Sequence, residues 1–518
     1  MIKVSVVVAV YNPGANMDDL VRSVLEQSLP AQEYEAIFVD DGSTDGTGAR
    51  LDSLAAEHEV IRVEHIPNSG WPGRPRNVGT DLARGEYVYY VDNDDWLGPE
   101  ALERLYDRAV ADGADVVTGK VVGHGKFIAR ELFEANRSRV SLEWEPLVRL
   151  LSPHKLFRRA FLAEHGIRFP EGRRRLEDHV FVMQAYYAAQ DRISILADYP
   201  CYHWALRSKE TNASWNRMDP VGYFANVREV LDIVEANTPP GRERDRLLAH
   251  WYRSKTLFRV EGAVFLRRDP GYNREIYDAV HAIAQERFPP AVDRFLPFNL
   301  RARSHLLRAG DLDGLYALAR FEAGLKARVL VLERRDRGAA VELDLEGHLR
   351  GEDGRLLYRR KGEQLLWHPP RELRARLEGA DLDATKSVPR AHVQVVVRAV
   401  AGNEEHVLPV ESTVRLDAGD EGYLTPVVEA TATLEPATAA VGAPLAAGDW
   451  QLVVPVRIGG FHGTALTVRK GEGRRAPLTF RVGEDGRLEQ PTWARRHLSG
   501  RAPGLTRALR SARARAGR

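Results

Sequence analysis

What most limits the fold of this 518-residue chain is its first 119 residues, where short β-branched runs alternate with amphipathic segments. The runs read VSVVVAV, YEAIFVD, VIRVEHI, EYVYYVD and ADVVTG, and helical patterns such as residues 18–27 and 99–111 lie between them. Strands buried on both faces read as near-continuous apolar runs, so this alternation predicts an α/β domain of βαβ units around a mostly parallel, Rossmann-like sheet. Sheets of this kind bind ligands beyond the carboxyl ends of their strands. Two of those ends carry crowded acids: Asp40 and Asp41 at one, and Asp92, Asp94 and Asp95 at the other.

The chain is too long for a single core, and three domains are expected. From about residue 216 to 325 the pattern is helical, as in DPVGYFANVREVLDIVEAN. After residue 327 the period falls to two, with short strands between Gly and Asp turns, which predicts one or two β-sandwich modules. Residues 494–518 hold eight arginines and no acid and read as a basic tail. The predicted boundaries are therefore 1–215, 216–325, 326–493 and 494–518. A net charge of +1 supplies no global field for nucleic acid, so none is expected as a partner. The single cysteine, Cys201, excludes a disulfide framework and a cysteine zinc cluster. No apolar run reaches the roughly 18 residues of a membrane span. The opening MIKVSVVVAVYNPG, with one lysine and a turn at Asn12-Pro13, reads as a buried strand rather than a signal peptide. The cytoplasm is the expected compartment.

Each acidic cluster has a bland reading and a chemical one. Asp40 and Asp41 precede Gly42, Ser43 and Thr44, a turn that caps a helix; an acid here also accepts hydrogen bonds from a ribose or base. Neither GxxxxGK[ST] nor GxGxxG occurs at that turn. The segment NSGWPGRPRNVGTDLARG sets Arg74 and Arg76 at an expected helix start, where guanidinium and backbone N–H groups favour a phosphate. Asp92 and Asp94, one residue apart at a strand end, point to one face, and hard oxygen ligands there suit Mg²⁺ or Mn²⁺ holding a diphosphate. Farther on, Glu177 and Asp178 in RRRLEDHVFVMQAYYAAQ begin an amphipathic helix. A helix N-terminus favours the ionised carboxylate, which is the form a general base needs. His179 reads as a packing or polar neighbour, because no second histidine stands at ligand spacing.

Taken together, VSVVVAVYN, VDDGSTDGT, the loop from Asn68 to RN-x-G, and VDNDDW resemble the nucleotide-sugar domain of inverting family 2 glycosyltransferases, which has the GT-A fold. The resemblance covers roughly the first 215 residues. It implies a UDP-sugar donor with Tyr11 and Asp41 on the uracil or ribose and with Asn68 and Arg76 lining the pocket. Asp92 and Asp94 would form the Asp-x-Asp pair, with Asp94 as the direct ligand of Mn²⁺ or Mg²⁺. Asp178 would be the base, and Glu177 would orient it or the acceptor. Ala9 belongs to the same donor strand and departs from the family, which usually has proline there. Arg207, in YHWALRSKETNAS, would close over the diphosphate and exclude water.

The succession of GT-A domain, helical linker and C-terminal all-β immunoglobulin-like region, with GWPGRPRN and the Glu177-Asp178 pair, resembles the bacterial enzymes that glycosylate poly(ribitol-phosphate) wall teichoic acid. That resemblance implies an anionic polyol-phosphate acceptor and a homo-oligomer, a trimer. Spaced cations would hold such a polymer, and Lys126, Arg253, Lys255 and Arg259 are the candidates. The arginine tail offers peripheral membrane contact. A capsular or exopolysaccharide acceptor is the alternative within enzymes. A non-catalytic polysaccharide-binding scaffold is the alternative outside them, and the β-region contains no clustered catalytic residues.

Overall fold

The structure, a computed structural model, describes residues 1–124, 130–143, 146–205, 217–351, 354–401, 405–440, 444–466, 468–470 and 475–489. In the first domain the apolar runs become strands β1 (Val4–Val10), β2 (Tyr34–Asp40), β3 (Ile61–His65) and β4 (Tyr87–Asp92), paired in parallel in the order β3-β2-β1-β4. Every residue of β2 is buried, as a strand covered on both faces must be. Helices α1 (Asp18–Leu25), α2 (Thr47–Glu57) and α3 (Gly73–Leu82) make the crossovers.

Beyond β4 the sheet becomes mixed. Strands β5 (Trp96–Leu97), β6 (Val116–His124), β7 (Arg137–Val140), β8 (Leu156–Arg158) and β9 (Ile193–Ala205) complete it, with α4 (Ala101–Asp112), α5 (Arg159–Glu164) and α6 (Glu177–Ala189) packed around them. Strand β8 runs antiparallel between β4 and β6, whereas β6 and β9 are parallel. The expected mostly parallel order therefore holds for the first half and is interrupted by β8. Register fixes what matters for function: Val10 pairs with Asp40 and Ala9 with Asp92, so both acidic clusters flank the end of β1 on one edge of the sheet.

Helix α3 is locked to the loop that leads toward α6. A Cβ on Gly73 would stand 2.3 Å from the Pro170 carbonyl oxygen, so only glycine permits this approach. One turn later the Asn77 amide donates to Phe169 O (2.9 Å) and Glu171 Oε1 (3.0 Å), and its oxygen accepts from Phe169 N (2.9 Å).

The helical region comprises α7 (Pro220–Asn237), α8 (Arg242–Trp251), a π-helical turn (Tyr252–Thr256) followed by a 3₁₀ turn (Leu257–Val260), α9 (Gly262–Arg267), α10 (Pro270–Arg287), α11 (Phe298–Arg308) and α12 (Leu312–Gly324). Asp219 and Asp269 cap α7 and α10 with proline in the first turn, the arrangement helix starts favour. An ion pair from Arg174 to Glu229 joins this region to the first domain. From Lys326 onward the chain forms two sheets that face each other. At Gly347 the approach is so close that a Cβ would lie 2.8 Å from Val393 Cγ1. Phe298, Trp367 and Phe461 seal the junction between helices and sheets, with ring centroids 5.6 and 5.1 Å apart.

Gly73→Ala should force α3 away from Pro170 at a cost of about 1–3 kcal/mol. Scanning calorimetry should show this as a drop of roughly 2–10 °C in the first domain's transition. An unchanged transition would mean that the loop gives way without strain.

Candidate active site

The first part of the site is built where β1 and β2 end. Tyr11 is half-exposed at 50%, and Asn12 adopts φ +45°, a conformation asparagine tolerates better than most residues. The Asn12 side chain accepts from Thr44 N (2.8 Å) and its backbone N–H donates to Ser43 Oγ (3.0 Å), which ties the two strand ends together. The adjacent acids have separate tasks. Asp40 shapes the turn by accepting from Ser43 N (3.0 Å) and facing His65 Nδ1 (3.0 Å). Although burial opposes it, these bonds hold Asp40 below the usual carboxylate range. Asp41 accepts from Ser69 N (2.8 Å) and Ser69 Oγ (2.9 Å), and burial raises it. Asn68 donates to the Asp41 carbonyl (2.7 Å). Gly42, at φ +70°, lets Asn68 approach where a Cβ would come within 2.8 Å of its nitrogen. Tyr11, Asp41 and Asn68 thus gather at one place, with Ala9 paired between Val39 and Asp92 beneath them.

At the end of β4 the acidic turn is held from several directions. Arg76 is only 5% exposed and bridges two elements: Nη2 meets Asp92 Oδ1 at 2.8 Å and Nη1 meets Glu177 Oε1 at 3.3 Å. Its guanidinium also lies over the Phe169 ring at 5.2 Å. Trp71 Nε1 donates to Glu177 Oε2 (2.8 Å). The GWPGRPRN loop is therefore an internal tie between the β4 exit and the start of α6. Arg76 is not laid open as the pocket-lining cation its sequence context suggests. His154, which is buried, faces Asp92 Oδ2 at 3.0 Å. Burial works against ionisation of Asp92, yet His154 and Arg76 together hold it well below the usual carboxylate range. Asp95 is fully buried; it accepts from Tyr202 Oη (2.6 Å) and Ala205 N (2.8 Å). Burial, with repulsion from Asp92 and Asp94, pushes Asp95 up to about 8.

Asp92, Asp95 and His154 each offer a ligand atom, all within 4.8 Å of one another. Hard carboxylate oxygens at this turn, on Asp92 with Asp94 beside it, suit Mn²⁺ or Mg²⁺, whereas both oxygens of Asp95 are already engaged by Tyr202 and Ala205. The convergent trio contains Asp92 but not Asp94, which is half-buried in the same turn. His154 was not foreseeable as a partner of Asp92. It lies far along the chain, in SPHKLF, and belongs to no metal-ligand spacing.

The third part of the site begins α6. Leu176 takes φ +64°, an uncommon conformation for a non-glycine residue, and the chain turns sharply into Glu177 and Asp178. Asp178 is half-buried, and its Oδ1 accepts from His179 N (2.8 Å). Burial and repulsion from Glu177 push Asp178 up to about 7, outweighing Lys255 and Arg76, which act in the opposite direction. The ionised form expected from the helix start is thus poised rather than dominant. Lys155, absent from the sequence reading, is fully buried and donates to Ser152 O. Burial lowers it to about 7, with Asp178 pulling the other way. His179 receives a hydrogen bond from Trp251 Nε1 (3.1 Å) and serves packing, as its sequence context suggests.

The helical region reaches this site through the π-helical turn after α8, and such extra-residue turns commonly mark functional positions. Lys255 lies on it, half-buried and lowered by burial while Asp178 opposes the shift. Arg253 is exposed on the same turn, and its charge, after burial, lowers Arg149 across the domain seam. Arg259 instead packs over Tyr223 at 4.4 Å. Of the candidate acceptor cations, Lys255 therefore lies within electrostatic reach of Asp178, and Arg253 stands on the same turn. Lys126, Arg207 and the basic tail lie outside the described residues.

Residues 5–165 match the model of glycosyl transferase family 2, and residues 220–319 match that of the glycosyl transferase TarS linker domain. A poly(ribitol-phosphate) beta-glucosyltransferase of Bacillus spizizenii is 30% identical over 331 residues, covering 62% of this chain and 51% of that protein. The poly(ribitol-phosphate) beta-N-acetylglucosaminyltransferase TarS of Staphylococcus aureus is 31% identical over 319 residues, or 60% of this chain and 54% of the relative. The chain thus spans about half the length of the curated relatives it matches. Among solved structures, S. aureus TarS 1–349 in complex with UDP-GlcNAc is 27% identical with a TM-score of 0.55, covering 66% of this chain and 96% of that one. A longer S. aureus TarS structure covers 94% of this chain and 84% of its own at a TM-score of 0.54 and 20% identity, a likeness of fold that includes the β-region. The first domain is thus similar to the family 2 glycosyl transferases, and the helical region behind it to the TarS linker domain.

Proposed function

We propose that the protein is a metal-dependent inverting glycosyltransferase. It moves a hexose or N-acetylhexosamine from a UDP-sugar to a hydroxyl of a cell-wall polymer, poly(ribitol-phosphate) teichoic acid. One arrangement carries this reading: a poised carboxyl, Asp178, at the start of α6 is tied through Glu177 and Arg76 to the acids at the end of β4, with Lys255 opposite. The names of the matching relatives support the acceptor, and the UDP-GlcNAc complex of S. aureus TarS supports the donor.

In this reading Asp178 accepts the proton of the attacking hydroxyl while that oxygen bonds to the anomeric carbon. The carbon–oxygen bond to UDP breaks on the opposite face, and its electron pair leaves with the diphosphate. Asp92 and Asp94 would hold Mn²⁺ or Mg²⁺, which when bound neutralises the charge gathering on the diphosphate. Arg76 fixes the distance between the two acidic sites, and Glu177, held by Trp71 and Arg76, raises the proton affinity of Asp178 by its own charge. Lys255 and Arg253 give the acceptor's phosphates a cationic edge beside the base. A cytoplasmic location and a homotrimer belong to the same proposal. Among the described residues no helix is long and apolar enough to cross a membrane.

The test is UDP release from a panel of UDP-sugars with Mn²⁺, with and without purified poly(ribitol-phosphate). Release only with another glycan would redirect the acceptor to a capsular or exopolysaccharide, and no release under any condition would favour a non-catalytic scaffold. Asp178→Asn should keep UDP affinity and lose transfer by about a thousandfold, within the range for a positioned base; near-normal turnover would place the base elsewhere. Because the base must be ionised and Asp178 is pushed up to about 7, kcat should rise with pH through that region and level off above it. A flat profile from pH 6 to 8 would contradict this. Lys255→Met removes a charge that holds Asp178 down, so the midpoint should move upward and the KM for the polymer should increase. A KM change confined to the UDP-sugar would place Lys255 on the donor side.

A further inference from the structure

The third acid of the VDNDDW turn has no task in the transfer just described. Asp95 is 0% exposed, and both its oxygens are engaged within the protein, by Tyr202 Oη (2.6 Å) and Ala205 N (2.8 Å). Tyr202 is equally buried, and its hydroxyl works in two directions: it donates to Asp95 and accepts from the backbone N–H of Asp92 (3.2 Å). The ring is fixed as well. His154 stacks on it at 4.1 Å and 10°, and Tyr89 meets it edge-on at 6.5 Å. The backbone continues the same junction, for Trp96 pairs with His203 and Leu97 with Tyr202 in the antiparallel β5–β9 ladder. Asp92 and Asp94, by contrast, keep partly open side chains in the turn.

We propose that Asp95 and Tyr202 form a buried brace that fastens the acidic turn to the end of β9, making Asp95 a positioning residue and not a metal ligand. A cation drawn to Asp95 would have to displace a hydroxyl and an N–H from a carboxyl with no path to solvent. The brace instead sets the height of the Asp92–Asp94 segment against Ala205 and, through the stacked His154, orients the Asp92 carboxylate. The closeness of Asp95 to Asp92 and His154 is then a consequence of packing beneath the turn. The proposal rests on the reading of this turn as the diphosphate end of the site.

Four variants of the full chain, Asp95→Asn, Asp95→Ala, Tyr202→Phe and the double variant Asp95→Ala with Tyr202→Phe, decide it through hydrogen exchange, calorimetry and kcat. Hydrogen exchange of peptides containing the Asp92 and Ala205 amides needs no donor and should quicken in Asp95→Ala and Tyr202→Phe. Calorimetry of UDP with Mn²⁺ should find affinity nearly unchanged in Asp95→Asn, because an amide of the same shape still fills the niche. In Tyr202→Phe and Asp95→Ala kcat should fall roughly tenfold, the scale of lost support around a metal site. The double variant should be no worse than Asp95→Ala, because the two residues act as one unit. Loss of Mn²⁺-dependent UDP affinity in Asp95→Asn, with exchange at the two amides unaltered, would make Asp95 a ligand and overturn the brace. Wild-type protein that fails to bind UDP with Mn²⁺ would instead refute the proposed activity, and the exchange rates would still decide the brace.

Discussion

The architecture of the cleft depends on a single buried guanidinium. Arg76 is almost wholly removed from water, which is tolerable only because its two arms meet Asp92 on β4 and Glu177 on α6. Removing one member of such a buried pairing costs about 3–5 kcal/mol, since the partner is left charged and dry. The bridge therefore prices any drift of α6 away from the sheet. The Gly73–Pro170 contact and the Asn77 hydrogen bonds act on the same loop, so the base cannot move independently of the acids at the strand end.

That rigidity lets three neighbouring acids differ in proton affinity. Asp92, with a guanidinium and an imidazole on its two oxygens, stays ionised. Asp95, buried without a cation, and Asp178, buried beside Glu177, are both raised. Pairs of acids pushed apart in this way mark the division between a group that holds charge and one that exchanges protons. The crowding of carboxylates in VDNDDW is thus resolved within the protein: Asp92 is held by Arg76 and His154, Asp95 is packed beneath, and Asp94 remains on the partly open side of the turn.

Much of this was legible in the sequence because it follows from local pattern. β-Branched runs alternating with amphipathic segments marked the strands of a mostly parallel sheet, and Glu177-Asp178 before an apolar stretch marked the start of α6. The rest depends on tertiary packing that no local pattern records. Strand β8 has three residues, too few to show a period, so its antiparallel insertion was invisible. His154 and Lys155 immediately precede that strand and act only because its insertion brings them to Asp92 and Asp178. Arg76 was readable as a cation beside Gly and Pro, but what it faces depends on α6, a hundred residues away. The raised Asp178 was missed for a related reason: the helix N-terminus is visible in sequence, whereas desolvation by tertiary burial is not.

The linker thereby becomes part of the site. If α8 continued as a regular helix, each later residue would advance by the usual 100° or so. The π-helical turn adds a residue to that count and re-aims Arg253 and Lys255 while keeping Trp251 and Tyr252 in the core. Trp251 is hydrogen-bonded to His179, the residue after the base, so the turn that presents Lys255 is indexed directly against the start of α6. Within the first domain Arg76 and Lys155 already act on Asp178. Lys255 adds a further cation from the second domain, which couples the proton affinity of Asp178 to the seating of the helical region.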